Sequence, residues 1–306
     1  MAIQEIHPKD IIEGIKALES FAYQHANMIF RGHREVSWRL SSTLSRFKRN
    51  PFQIPSDLSM MDEMLHQFVA NLQSIGALPK GDLSRRGRLE YARHYGVPSP
   101  LIDFTFSPYV ALFFACSGIE DQWDSIMEKP GVVVLYALDL ARLAVAEASR
   151  NGTYEQKRFQ WVMRQDDRTF DEMFKEGYPE DVLKFFRFPA SWNTRMQRQV
   201  GCFLYDSVEY RRMRKHDLEE WIEGLVEPEF KGDPEGSTLT KIYFQRYWIR
   251  DVFARLELMG ITGTHLLGEA GAALDVCNAY RYGRKTGPAW DLKLPDEKRD
   301  PVWGAR

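Results

Sequence analysis

The sequence predicts one domain of the α+β class, and three observations support this prediction. Apolar residues recur at helical spacing near the N-terminus, and β-branched residues form a short, bounded run at 131–140. No internal repeat and no Gly- or Ser-rich linker divides the 306 residues. We therefore expect one domain over residues 1–306, with an N-terminal helix within 1–26, a core over 27–280 and a C-terminal tail over 281–306.

Composition limits the kind of protein this chain encodes. With 44% hydrophobic residues the chain can bury a large core, and a net charge of −2 does not indicate binding to nucleic acid or to an anionic membrane. The longest apolar runs fall short of the roughly 20 residues that a membrane span needs, and the N-terminus does not resemble a secretory signal. A cytoplasmic protein without membrane contact is expected. The three cysteines lack the spacing of a zinc site, so no metal is expected.

The first half of the chain predicts mainly helices. Apolar spacing predicts an amphipathic helix over 10–26 with Asp10 as N-cap, and this helix leads into a strand that ends near Arg31. Two further helices are predicted over 57–76 and 83–95. The Ser-, Thr- and Arg-rich segment before them is expected to form a loop.

The second half predicts helices and strands in alternation. Pro108 suits the first turn of a short buried helix, and the run at 131–140 predicts the clearest strand of the chain. The remaining predictions are a polar helical region over 141–188, strands over 200–206 and 239–245, and a helix over 246–260.

Arg31 is the first residue that a simple core does not explain. It follows the apolar pair Ile29-Phe30 at the end of the predicted strand, where a buried position favours Val, and Gly32 follows directly. A guanidinium at a strand end could bind a phosphate in a bidentate manner. It could equally form a buried structural ion pair with Asp103 or Glu90, and the sequence leaves both interpretations open.

Four stretches place polar residues beside apolar strands and helices. In this order they resemble the FRG domain family, whose name comes from the Phe-Arg-Gly of the first stretch, and the resemblance covers nearly the whole chain. The second stretch keeps the His-Tyr-Gly-x-Pro, Leu, Asp and Thr of the family pattern. It departs from the pattern with Arg93 in place of Gln, Ser99-Pro100 in place of Thr-Arg and Phe104 in place of Trp. The stretches are IFRGH (29–33), ARHYGVPSPLIDFTFSPYVALFFA (92–115), RMQRQVGCF (195–203) and LELMGITGTHLLGEAGAALDV (256–276).

The order of these stretches also resembles, at the level of architecture, the ADP-ribosyltransferases. Those enzymes carry an Arg-Gly or His-Gly at the end of a first core strand, then a strand with Ser or Thr before a small-residue helix, then a Glu or Gln on a later strand. Arg31-Gly32, Thr105 with Ser107, and Gln199 follow that order. The resemblance implies a split β core with flanking helices, NAD+ as substrate, and a transferase or NAD+ glycohydrolase. It also implies a toxin-like or phage-defence role for such a domain.

The resemblance assigns chemical roles to particular residues. Arg31 would bind the pyrophosphate, and Gly32 would allow the backbone to approach the ligand closely. Asp103 or Glu90 would stabilise the positive charge that develops on the ribose, and Gln199 would orient the substrate by hydrogen bonding. The other cofactor-binding residues are Thr105 and Ser107 on the ribose, Tyr95 on the nicotinamide ring, and His94, for which capping of a helix end is the alternative.

Two other functions stay open at this level. The chain could be a non-enzymatic module that recognises a nucleotide or phosphate through Arg31, or a metal-dependent hydrolase or nuclease that uses Asp103, His94 and Glu90. The acceptor of a transferase would be a protein or a nucleic acid. Basic clusters at 210–216 and 281–285 could contact nucleic acid, although such clusters are more commonly solvated helix faces. His33 and Arg34 are expected to be surface residues.

Overall fold

The computed structural model places one mixed sheet between helices. It describes residues 3–24, 27–47, 57–78, 84–117, 131–150, 183–186, 194–206, 217–224 and 236–281. The strands within these residues are β1 (Ile3–Ile6), β2 (Met28–His33), β3 (Leu101–Thr105), β4 (Val132–Asp139), β5 (Leu183–Phe186), β6 (Gly201–Asp206) and β7 (Leu239–Gln245).

Helices flank the sheet on both faces and at one end. They are α1 (Ile11–Gln24), α2 (Thr43–Arg46), α3 (Asp57–Ser74), α4 (Arg85–His94), α5 (Pro108–Cys116), α6 (Leu140–Arg150), α7 (Thr194–Arg198), α8 (Leu218–Glu223), α9 (Ile249–Leu258), α10 (Gly263–Leu267) and α11 (Glu269–Arg281). No helix in the described ranges combines the length and the apolar character needed to span a membrane.

The sheet has the strand order β1-β7-β4-β2-β3-β6-β5. The edge pair β1 and β7 is parallel, and the other neighbouring strands run antiparallel. Strands β2 and β4 pair over six residues, and β3 and β6 over five. Between β2 and β3 the register contains one pair, Phe30 with Thr105. The sheet therefore consists of two well-paired parts that meet at a narrow junction and separate beside it.

Two apolar layers cover the two faces of the sheet. Because side chains alternate between faces along a strand, Phe30 points into one layer and Ile29 into the other. The first layer contains residues of α1, α5 and α9, and the second contains residues of α6 and α8. A third, smaller cluster packs α3 and α4 against β3 and β6. This cluster places the C-terminal end of α4 beside the junction.

Helix α5 fixes the position of β2. Seven of its nine residues are buried, and its N-terminus is capped by Ser107, with Pro108 in the first turn as the sequence predicts. A Cβ atom on Gly32 would lie 2.1 Å from the carbonyl oxygen of Ala111 and 2.7 Å from the backbone nitrogen of Ala115. Gly32 is therefore required for the contact between β2 and α5. The sequence alone did not reveal this packing role.

The structure confirms most of the predicted elements and corrects others. Asp10 accepts a hydrogen bond from the backbone N–H of Glu13 at the start of α1. The helical prediction over 141–188 agrees with α6 as far as residue 150 and is wrong at residues 183–186, which form an edge strand. Residues 151–182 and 187–188 lie outside the described residues. The predicted helix 246–260 begins with a 3₁₀ turn and becomes α-helical at 249. Strand β1 and helices α2, α7, α8, α10 and α11 were not predicted, and α2 lies in the segment that the composition assigns to a loop.

Helices α10 and α11 pack closely at Gly263 and Gly271, and this contact explains the glycines of the fourth sequence stretch. Asp275 of α11 accepts hydrogen bonds from the backbone N–H groups of Gly263 and Thr264, and so caps the N-terminus of α10. The basic segment 210–216 and the tail beyond residue 281 lie outside the described residues, so their predicted roles stay predictions.

The contact between β2 and α5 leads to a stability prediction. We expect Gly32→Ala to lower the free energy of unfolding by about 3 kcal/mol or more, because the new methyl group meets helix backbone that cannot move aside. Urea unfolding measures the loss. Gly224→Ala is the matched control, since a Cβ there meets its nearest atom at 3.5 Å. Equal stability of the two variants would contradict the packing role of Gly32.

Candidate functional site

A cavity of about 390 Å³ lies where β2 and β3 separate. Its walls come from β2, β3, β6, α2, α4, α5 and α7, and from the loop that follows β2. This volume is typical of a site for a small molecule. The split in the sheet therefore gathers residues from distant parts of the chain around one space.

Positive charge dominates the cavity wall. Among the described residues, five arginines and two carboxylates line it, and such a surface favours an anionic ligand. Arg46 and Arg195 are exposed at the rim, whereas the Glu90 carboxylate is buried. Enclosure by the cavity walls lowers the pKa of Arg195, and the nearby Asp103 opposes this effect. The charged lining residues are Arg31, Arg34, Arg46, Arg93, Arg195, Glu90 and Asp103.

Arg31 spans the split between the two strands. Its Nη1 donates a hydrogen bond of 2.5 Å to the backbone carbonyl of Asp103 on β3, and its Nε donates one of 2.8 Å to Nε2 of His33. The carboxylate of Asp103 lies 3.9 Å from Nη1. Burial lowers the pKa of Arg31 to about 10, so the guanidinium stays positive at neutral pH. Arg31 thus bridges β2 and β3 and still lines the cavity.

Asp103 is held mainly by a residue to which the sequence gave no such role. Its carboxylate forms a short ion pair with Arg93 of α4, and its side chain is 44% exposed within the cavity. The ion pair between Arg31 and Asp103, one of the interpretations that the sequence leaves open, is present at 3.9 Å, but the closest partner of this carboxylate is Arg93. Arg93 stands where the FRG pattern has Gln, so the departure from the pattern supplies the partner of Asp103.

His33 is a buried part of the site, and the prediction that it lies on the surface is wrong. Its side chain is 4% exposed and lines the cavity. Because Nε2 accepts a hydrogen bond from Arg31, the ring is neutral with its proton on Nδ1. Burial, together with the charges of Arg31 and Arg46, lowers the pKa of His33 to about 2. His33 therefore keeps its acceptor for Arg31 over the physiological pH range.

The two predicted ribose-binding hydroxyls have internal partners. Thr105 Oγ1 donates to the carbonyl of Gln199 at 2.7 Å and accepts from the backbone N–H of Ser107 at 3.0 Å. Ser107 Oγ accepts from the N–H of Val110 as the N-cap of α5. Thr105 lines the cavity, and Ser107 is not among the lining residues. A role in ribose binding stays a prediction for both residues.

The turn between α7 and β6 is fixed by several contacts. Gln199 lines the cavity, and its Nε2 donates to the carbonyl of Leu266 on α10 at 3.2 Å. Val200 has a φ of 46°, which costs a non-glycine residue about 1–2 kcal/mol. Its carbonyl accepts a hydrogen bond from Phe106 directly after β3. This turn ties β3 to α10 through the cavity wall.

The other predicted site residues divide between the cavity and the surface. Glu90 and His94 line the cavity, and Glu90 is 2% exposed. Tyr95 is 64% exposed and lies outside the set of lining residues, with its ring against Phe68 and Tyr91. Of the predicted residues, Arg31, Gly32, Glu90, His94, Asp103, Thr105 and Gln199 line the cavity. Their catalytic and binding roles stay predictions.

Several lining residues were missed because their signals are weak in sequence. Trp38 and Arg46 lie in a segment that the composition assigns to a loop, and Arg195 opens the third stretch without a suggested role. The described residues contain no group of three or more His, Cys, Asp or Glu side chains that could hold a metal ion.

One part of the chain matches a known family model. Residues 26–123 match the family model of the FRG domain. The matched segment includes β2, α4, β3 and α5, and therefore most of the charged cavity wall, whereas the third and fourth stretches lie beyond it. No curated protein and no solved structure matches the chain.

The buried, neutral state of His33 leads to a prediction about pH. Below its ordinary pKa of 6.5 the unfolded chain binds a proton at His33 that the folded chain excludes. Wild type should therefore lose on the order of 1 kcal/mol of unfolding free energy per pH unit at this residue as the pH falls from about 6.5 to 4.5. His33→Gln keeps an acceptor for Arg31 and lacks this titration. Urea unfolding at both pH values should show a smaller loss for the variant, and equal losses would contradict the account of His33.

Proposed function

We propose that the arginine-lined cavity of this chain, whose residues 26–123 match the FRG domain model, binds NAD+ and cleaves the bond between nicotinamide and ribose. The ADP-ribose is then transferred to water, as in an NAD+ glycohydrolase, or to an acceptor, as in an ADP-ribosyltransferase. The carrying observation is the excess of positive charge in a cavity of ligand size at the split of the sheet.

Binding is supported by the number and position of the arginines. A pyrophosphate carries two negative charges, and guanidinium groups bind phosphate oxygens through paired, charge-assisted hydrogen bonds. Arg31 is held rigidly by its contacts to β3 and His33, so little conformational freedom is lost when it binds a ligand. Arg46 and Arg195 at the rim would attract the phosphates into the cavity.

Cleavage would use the two carboxylates of the cavity. In the reaction the bond between C1′ of the ribose and the nicotinamide nitrogen breaks, and its electron pair leaves with nicotinamide. The positive charge that develops on the ribose is stabilised by a nearby carboxylate, for which Asp103 and Glu90 are available. A water or acceptor nucleophile then bonds to C1′ and releases its proton. Hydrolysis thus yields ADP-ribose, nicotinamide and one proton.

The arrangement along the chain adds support from architecture. Arg31, Thr105 and Gln199 reach the same cavity in the order found in ADP-ribosyltransferases. The narrow junction between β2 and β3 is also consistent with the split β core that the resemblance implies. These observations favour a transferase-like core by analogy of architecture. A toxin-like or phage-defence role stays a proposal based on the FRG resemblance.

A second candidate function is a binding module without catalysis. Asp103 is engaged by Arg93, and the Gln199 amide is engaged by Leu266, so both groups already have internal partners. This observation favours a cavity that recognises a nucleotide and leaves it intact. Nicotinamide release distinguishes the two functions, because a binding module would show saturable binding and no release.

The proposal predicts that Arg31→Ala loses affinity for NAD+. We expect this variant to bind NAD+ about 10- to 150-fold more weakly, because a hydrogen-bonded charge on the phosphate is lost. Calorimetry measures binding, and chromatography measures nicotinamide release. Arg250→Ala removes an exposed arginine of α9 outside the cavity and is the matched control. Asp103→Asn should retain binding and lose release.

Two results would contradict the proposal in different ways. Unchanged NAD+ binding by a folded Arg31→Ala variant would show that Arg31 is purely structural. Normal binding by wild type without nicotinamide release would exclude cleavage and leave the binding module.

A further inference from the structure

Trp38 occupies an unusual position at the rim of the cavity. It lies in the loop after β2, lines the cavity and is 41% exposed. Burial of a large apolar side chain stabilises the fold, so a partly exposed indole forgoes part of that stabilisation. Its position at an arginine-lined cavity makes the ring accessible to a ligand.

The indole is held in place by two neighbours of the same loop and strand. The guanidinium carbon of Arg34 lies 5.2 Å from the centre of the Trp38 ring, which is a cation–π contact. The imidazole of His33 meets Trp38 edge to face, with ring centres 6.1 Å apart and planes at 66°. A fixed ring binds a planar ligand at a lower cost in conformational entropy than a free one.

His33 connects this ring to the proposed phosphate site. The same imidazole that contacts Trp38 accepts the hydrogen bond from Nε of Arg31. The spacing between the aromatic surface and the Arg31 guanidinium is therefore set by one buried side chain. Such a fixed pair fits a ligand that joins a planar ring to a phosphate, as every nucleotide does.

We propose that Trp38, with Arg34, binds the adenine base of the ligand, which makes the cavity a site for adenine nucleotides. The inference deepens the proposed function and rests on it. Adenine is neutral and stacks on both indole and guanidinium groups. The nicotinamide ring of NAD+ is a cation that the Arg34 charge would repel, so it would enter the cavity towards Asp103 and Glu90. Tyr95, assigned to ring stacking from sequence, lies outside the lining residues.

The test compares two probes that share a diphosphate, of which ADP also carries the ribose and the adenine base. Binding of ADP and of inorganic pyrophosphate to the full chain is measured by calorimetry for wild type, Trp38→Ala, Trp38→Phe and Tyr95→Ala. We expect Trp38→Ala to weaken ADP binding about 5- to 150-fold, the range for loss of one base–aromatic stack. Pyrophosphate binding should change less than about twofold, Trp38→Phe should retain most of the ADP affinity, and Tyr95→Ala should match wild type.

The remaining outcomes separate this inference from the proposed function. An equal loss for both probes in Trp38→Ala would mean that the ring supports Arg31 structurally, and would overturn base binding. Unchanged ADP affinity, or a loss in Tyr95→Ala of similar size, would overturn it as well. If Arg31→Ala weakens the binding of pyrophosphate but Trp38→Ala does not change the binding of ADP, the phosphate site is supported and only the assignment of the base fails. If wild type binds neither probe, both proposals fail.

Discussion

The hydrogen bond from Arg31 to the backbone of β3 is the interaction on which the site depends. β2 and β3 pair at one position, and beyond it the guanidinium of Arg31 reaches the Asp103 carbonyl across the gap. A charged side chain thus replaces a ladder hydrogen bond between strands. The resulting opening is the cavity, and the Arg31 guanidinium that spans this opening also lines the cavity. The structural and the phosphate-binding interpretations of Arg31 are therefore compatible.

The clustering of arginines in the cavity wall favours an anionic ligand. Burial is the main cause of the lowered pKa of Arg31, and repulsion from the positive charges of Arg93 and Arg46 lowers this pKa further. Asp103 opposes this effect, and its carboxylate is shared between Arg31 and Arg93. The neutral imidazole of His33 adds an acceptor without adding charge. In the proposed function a bound phosphate would add negative charge beside these arginines, which favours binding of the ligand.

The sequence was informative about the residues that stand out against their local pattern. Arg31 at a strand end and Asp103 after apolar residues were recognisable because a core would not choose them, and both line the cavity. His33 was wrongly predicted to lie on the surface, and Trp38 was given no role, because the positions of both depend on contacts that form when β2 folds against its neighbours. Gly32 was assigned to ligand approach, whereas its contact with α5 is a packing constraint that spacing cannot reveal.

The central claim is that the cavity at the split of the sheet binds the phosphates of a nucleotide. A crystal structure of the full chain with ADP bound tests it most directly. The account predicts phosphate density within hydrogen-bonding distance of Arg31, with the base against Trp38. Density for ADP on another surface, or a cavity that stays free of ligand at saturating ADP, would contradict the account.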